Sequence, residues 1–248
     1  MNDFFIGYNW PQPPDLLRAV KRAALGLGVG VVGLSGALAV GHVPLEGGLF
    51  EFGQVRTVTG TVVEHPHPML RPDDGATAWP LLVSKGKHGA TEAVRGLDGQ
   101  RVHLQTTRIA RGPHTMLEID VAPGADPRAS RPVPTPGAEP VTPPAGRVTL
   151  RGEIVDSKCF LGVMVPGAGT THRDCASLCL RGGIPPALFV RDADGSSSLV
   201  LLSGPEPALR DRAAALAGEP VEVSGTIERR GGWRVLRTEP DGWRVPAR

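Results

Sequence analysis

The chain has 248 residues, room for one large domain or two small ones, and its 27 Lys and Arg against 25 Asp and Glu leave a formal charge of +2. That near-neutral balance argues against a polyanion-binding protein, which carries a strong basic excess. Gly (33) and Pro (25) make up roughly a quarter of the residues, and aromatics only 4%, so short strands and turns are expected over long helices.

The first element is apolar. From Ala23 to Val40 no residue is charged, and the run continues to Val43, close to the roughly 20 residues a membrane-spanning helix needs. Arg18, Lys21 and Arg22 precede it, while Glu46 and Glu51 follow it. The positive-inside bias then gives a cytoplasmic segment 1–22, a transmembrane anchor 23–43 and an exported remainder, a single-pass protein of the cell inner membrane with its bulk in the periplasm. Ala37-Leu38-Ala39 also reads as a signal-peptidase site, so a cleaved signal peptide competes with the anchor. Against cleavage, the leading segment is long and carries Phe4, Phe5, Tyr8 and Trp10, unlike a short basic leader. Within the run, Gly26, Gly30, Gly33, Ala37 and Gly41 share one helix face. In lipid such a stripe lets two backbones approach, which predicts packing against the helix of a membrane-protein partner. A merely glycine-rich anchor is the alternative.

The exported part repeats itself. Residues 122–147 are proline-rich with almost no large apolar side chain, and read as an extended linker between pieces 54–121 and 148–240. Thr57-Val-Thr-Gly60-Thr-Val-Val-Glu64 aligns with Thr149-Leu-Arg-Gly152-Glu-Ile-Val-Asp156, and Gly99-Gln-Arg-Val102-His-Leu104 with Gly218-Glu-Pro-Val221-Glu-Val223. Each piece has an opening strand with a Gly, a mid-strand (Trp79 to Ser84; Ala187 to Val190), a Gly-introduced strand and a closing strand (Thr115 to Ile119; Trp233 to Thr238). Ala208 to Leu216 reads as a short helix. The order predicts a mainly β chain with two small barrels resembling OB-folds, each first-strand Gly marking a barrel corner; a β-sandwich is the alternative. Aromatic platforms in a basic groove, the OB-fold route to single-stranded nucleic acid, are missing, so no nucleic-acid partner is expected. In the first piece, His65 and His67 flank a proline and read as surface histidines.

The chemistry concentrates in the second piece. Cys159 follows its first strand, and His172, Cys175 and Cys179 fall at about 0°, 300° and 340° on a short helix, within one sector. Thr170 or Thr171 is placed to cap that helix and Gly182 to end it. Several readings stay open. Cys159, His172, Cys175 and Cys179 form a Cys3His set suited to tetrahedral zinc. The Cys-x3-Cys with a nearby His is similar to the spacing in periplasmic Sco-type copper chaperones, with Met164 a further soft ligand for Cu(I). A structural disulfide leaves one thiol over, and a reactive thiol pair is the remaining reading. No Gly-x-Ser-x-Gly, phosphate-binding Gly-rich loop or His-Glu-x-x-His occurs, and no acid–base pair stands out, so the chain leans away from an enzyme. Asp192-Ala-Asp194-Gly195 reads as a turn.

Residues 148–239 resemble a group of uncharacterised exported bacterial domains. These share a Gly-Glu-apolar-apolar-Asp strand followed by Cys, a Gly-x-x-His-x-x-Cys-Ala-x-x-Cys helix and a Gly-Gly-apolar-Pro turn. The match falls at Gly152, Asp156, Cys159, Gly169, His172, Cys175, Ala176, Cys179, Gly183 and Pro185. The anchored members look like accessory proteins of envelope redox systems. The expected function is accordingly an accessory subunit of an envelope redox or respiratory complex; a stand-alone thiol-redox or metal-delivery protein, or a disulfide-stapled scaffold, are the alternatives.

Overall fold

The computed structural model describes residues 13–41, 47–120, 145–192 and 194–246. Most of the predicted linker, residues 122–144, and residues 1–12 of the predicted cytoplasmic segment lie outside them, as do positions 42 and 43 of the expected anchor.

Two compact units are present, Met1–Leu45 and Glu46–Arg248. The first contains helix α1, Pro14–Gly41, which is long and apolar enough to cross a membrane and buries none of its residues. Such a helix near an N-terminus also fits a signal sequence. It begins nine residues before the uncharged run, because Leu16, Leu17 and Ala19 are sound helix formers and so are Arg18, Lys21 and Arg22. A Cβ added at Gly26, Gly30, Gly33 or Gly41 would meet nothing within 4 Å.

The second unit is mainly β. Strands β1 (Leu49–Val63), β2 (Met69–Pro72), β3 (Leu81–Ser84), β4 (Arg101–Arg111) and β5 (His114–Ile119) close a barrel in the order β1-β2-β3-β5-β4. Strands β6 (Ala145–Asp156), β7 (Pro186–Arg191), β8 (Ser197–Ser203), β9 (Pro220–Arg230) and β10 (Trp233–Thr238) close in the corresponding order β6-β7-β8-β10-β9. In both sets the third and fifth strands pair parallel and the other neighbours antiparallel. The internal repeat is therefore one of topology, with one equivalence changed. Trp79–Ser84 corresponds to Ser197–Ser203 rather than to Ala187–Val190, because β2, only four residues long, had no visible alternation. First strands also begin earlier than 54 and 148: Leu49 and Phe50 pair with Ala110 and Ile109 across a bulge, and Ala145 and Arg147 pair with Ile227 and Thr226.

The first-strand glycines have a steric reason. A Cβ on Gly60 would lie 2.5 Å from the Arg71 carbonyl oxygen, and one on Gly152 would lie 2.5 Å from that of Phe189. Each first strand crosses its neighbour too closely there for any side chain.

The two strand sets share a core. One buried cluster combines Val63, Met69, Trp79, Leu81 and Met116 with Val155, Phe160, Leu161, Leu201 and Trp233, and it includes Cys159 and Cys179. Polar contacts close the seam. Trp233 Nε1 donates to the Trp79 carbonyl at 2.7 Å, and the His114 ring stacks on Trp233 at 4.3 Å. The Lys158 ammonium, 3% exposed, meets the Glu118 carboxylate at 2.5 Å and donates to the carbonyls of Ser84 and Gly86. His67 is buried, not at the surface: its Nε2 bonds the Leu202 carbonyl oxygen at 2.8 Å, and burial lowers its pKa to about 4. Its burial has no mark in the sequence, because nothing there shows which barrel face meets the other.

Candidate metal centre

Between β6 and β7 the chain inserts residues 157–185. A π-type turn, Cys159–Val163, is followed by a 3-10 turn, Thr170–His172, and helix α2, Arg173–Arg181. Asp156, the last residue of β6 and fully buried, organises the start. Its Oδ1 accepts the Cys159 backbone N–H at 2.8 Å, and its Oδ2 accepts from His172 Nε2 at 2.9 Å. The expected threonine cap does not form, since neither turn nor helix has a side-chain cap. The entry is held instead by Glu153, whose carboxylate accepts the Gly169 N–H. Gly182 ends α2 as expected, its N–H bonding the Leu178 carbonyl, and Gly183 follows at φ +89°.

That glycine pair also docks the helix end on the first barrel. A Cβ on Gly182 would lie 1.8 Å from the Lys87 carbonyl oxygen, and the Gly89 N–H donates to the Gly182 carbonyl at 2.9 Å. The approach carries Lys87 to the thiols, with Nζ 2.8 Å from Cys175 Sγ and 3.8 Å from Cys179 Sγ. Lys87 was missed in the sequence, and no signal there could have found it, because it comes from the other half of the chain.

The four expected ligands are brought together, in two overlapping groups. Ligand atoms of Cys159, His172 and Cys175 lie within 4.8 Å of one another, as do those of Asp156, Cys159 and Cys179. Cys159 belongs to both. Cys159 and Cys179 are buried, Cys175 is half-buried, and all three are free thiols. Met164, the further soft ligand considered above, is 42% exposed. The insert is also better packed than its sequence suggests: Phe160, Leu161, Ala176 and Leu180 are buried.

The electrostatics are asymmetric. The hydrogen bond between Cys159 and Cys179, with burial next, drives the Cys159 thiol far above its usual range. The same bond pulls Cys179 below its usual value, helped by the charge of Lys87 and opposed by burial. Cys159 thus donates its S–H to a Cys179 sulfur inclined to be thiolate. Lys87 is shifted upward, first by its hydrogen bond to Cys175, so it remains a cation beside the sulfurs.

Among the candidate ligands one buried nitrogen is left over. His172 is 2% exposed, its Nε2 is committed to Asp156, and its Nδ1 is buried without a hydrogen-bond partner. A buried acceptor with no partner costs about 1–3 kcal/mol, so such atoms ask for a ligand. Chemically, two or three thiolates and an imidazole nitrogen form a donor set for a soft or borderline metal ion, and two thiols at this separation form a pair that can be oxidised to a disulfide. No protein-family model matches the chain, and neither the curated proteins nor the solved structures contain a match to it.

Proposed function

We propose that the insert is a metal centre on a membrane-anchored, extracytoplasmic protein, held by Cys159, His172 and Cys175 with Cys179 as the fourth donor. The observation that carries this reading is the Asp156–His172 pair. A carboxylate holding one imidazole nitrogen while the other is left for a ligand is the arrangement that orients metal-bound histidines and raises their basicity. Zinc suits a closed Cys3His set and Cu(I) suits the three sulfurs; both are metals of this donor class. Lys87 supports either, since a cation beside bound thiolates offsets their excess negative charge.

Around this centre we place two OB-like barrels, a reading supported by the repeated five-strand closure with parallel third and fifth strands. The helix supports an inner-membrane anchor with residues 1–22 in the cytoplasm, and its open glycine face suits a membrane-protein partner. Together these point to an accessory subunit of an envelope redox or respiratory complex, as the resemblance of residues 148–239 to anchored exported domains implies.

The test is metal binding by the full chain in detergent, titrated separately with zinc and with Cu(I) under reducing conditions. One equivalent should bind. His172→Ala should abolish tight binding, and Asp156→Asn, which changes the carboxylate that orients His172 and leaves the proposed Cys3His donors in place, should weaken it about 10–100-fold. Unchanged affinity in His172→Ala would overturn the reading. A thiol-redox role is favoured by a different observation, the donation from Cys159 to a thiolate-inclined Cys179 beside Lys87. It predicts a quantitative Cys159–Cys179 disulfide after mild oxidation and no bound metal before it.

A further inference from the structure

Most large apolar side chains described in the Glu46–Arg248 unit are buried; of the exposed ones, Leu178 and Val245 stand apart, whereas three share one end of β1. Leu49 is 55% exposed, Phe52 81% and Val55 46%. The cause is local. The β1–β4 ladder breaks between Phe50 and Val55, and Gly53 adopts φ +79°, so residues 51–54 leave the sheet as a bulge with Phe52 outermost. Phe50 meets Phe52 edge-on, with ring centroids 5.5 Å apart, which stiffens the protrusion. Behind the bulge the chain lies against the insert. A Cβ on Gly48 would fall 1.7 Å from the Leu161 carbonyl oxygen, and the π-type turn that makes this contact continues into the exposed Met164 and Val165. The polar rim is basic on balance: Arg56 and Arg108 both pair with the single carboxylate of Glu51, at 3.2 and 3.3 Å.

From this patch we infer a second membrane contact: the bulge at Phe52 seats in the interfacial layer of the lipid bilayer that α1 crosses. The inference rests on the anchor reading above. Connectivity selects lipid as the occupant. Gly41 ends α1 and Leu49 begins β1, so the intervening residues 42–48 allow the two a separation of at most about 28 Å, even fully extended. An exposed aromatic flanked by aliphatic residues and guanidinium groups, tethered that closely to a spanning helix, matches the chemistry of the headgroup boundary. The contact would keep the Cys159–Val163 turn, and with it the proposed metal centre, beside the membrane and a membrane-embedded partner.

The experiment uses the full chain reconstituted in phosphatidylcholine–phosphatidylglycerol vesicles, with lipid brominated near the headgroup as quencher. Resistance to alkaline extraction reports insertion of α1 independently. In Phe52→Trp, the emission added over the wild type should shift to the blue and lose about half or more of its intensity to the brominated lipid. If the inserted chain's added emission is untouched by brominated lipid but quenched by aqueous acrylamide, the bulge sits in water and the inference fails. If neither quencher reaches it, protein rather than lipid covers it, and the inference also fails. A chain released by alkaline extraction overturns the anchor reading, and this inference with it.

Discussion

The two five-stranded sets close their strands in the same order, and each has a carboxylate where its first strand ends, Glu64 directly after β1 and Asp156 as the last residue of β6. After β1 the chain turns through residues 64–68 and enters β2 at once, whereas after β6 it makes the excursion 157–185 before β7. Glu64 and Asp156 occupy equivalent positions and do related work. Glu64 accepts the backbone N–H groups of Leu97 and Asp98, tying down the segment that leads into β4. Asp156 accepts the Cys159 N–H and then turns its second oxygen to His172. A carboxylate that ties down backbone of its own barrel is part of a scaffold; the equivalent carboxylate facing an inserted helix becomes the base of a candidate metal centre. The first barrel still contributes to that centre, since Lys87 reaches the sulfurs only because the two barrels share a core.

That dependence can be broken at the seam. Glu118→Ala strips the partner from the buried Lys158 ammonium and should cost about 3–5 kcal/mol of stability, read as a lower denaturation midpoint at unchanged slope. If the barrels were independent, one half would unfold alone and the transition would split.

The seam also carries a pH dependence. The unfolded chain takes up a proton at His67 near its ordinary pKa of 6.5, whereas the folded chain resists until about 4. Its contribution is therefore fully present above about pH 6.5 and lost progressively as pH falls toward 4, by about 3 kcal/mol at most. His67→Gln can keep the bond to the Leu202 carbonyl and should flatten this part of the stability profile, measured by chemical denaturation between pH 7 and pH 4.5.

The likeness of the barrels is sharpened by paired variants. Gly60→Ala and Gly152→Ala each push a methyl against a neighbouring-strand carbonyl at the same distance, so both should destabilise by about 1–3 kcal/mol and by similar amounts. A large inequality would mean that the repeat is topological only. The smallest expected effect is that of Lys87→Met: the lysine is largely exposed, so stability should shift by less than about 1 kcal/mol. Native-state alkylation of Cys175 should nonetheless change measurably, because Lys87 is its hydrogen-bond donor.

Much of this was legible in the sequence, for identifiable reasons. The repeat showed because Gly60 and Gly152 answer the same steric demand in flanking segments of alternating polarity. The ligand residues showed because cysteines and a histidine on one short helix are rare and their spacing fixes their side. What did not show is whatever depends on the meeting of the two halves. Lys87 stands in a run of polar residues with no periodicity, His67 looks like any loop histidine, and the short β2 carries no alternation. Asp156 was visible only as part of a motif, and its role emerged once His172 was found on its other oxygen.

The most direct test of the central claim is X-ray absorption at the metal edge of the full chain loaded with one equivalent of zinc. The account predicts sulfur scatterers at about 2.3 Å together with an imidazole nitrogen at about 2.0–2.1 Å, the nitrogen signature disappearing in His172→Ala. A first shell of oxygen and nitrogen alone, or a sulfur shell unaltered by His172→Ala, would contradict it.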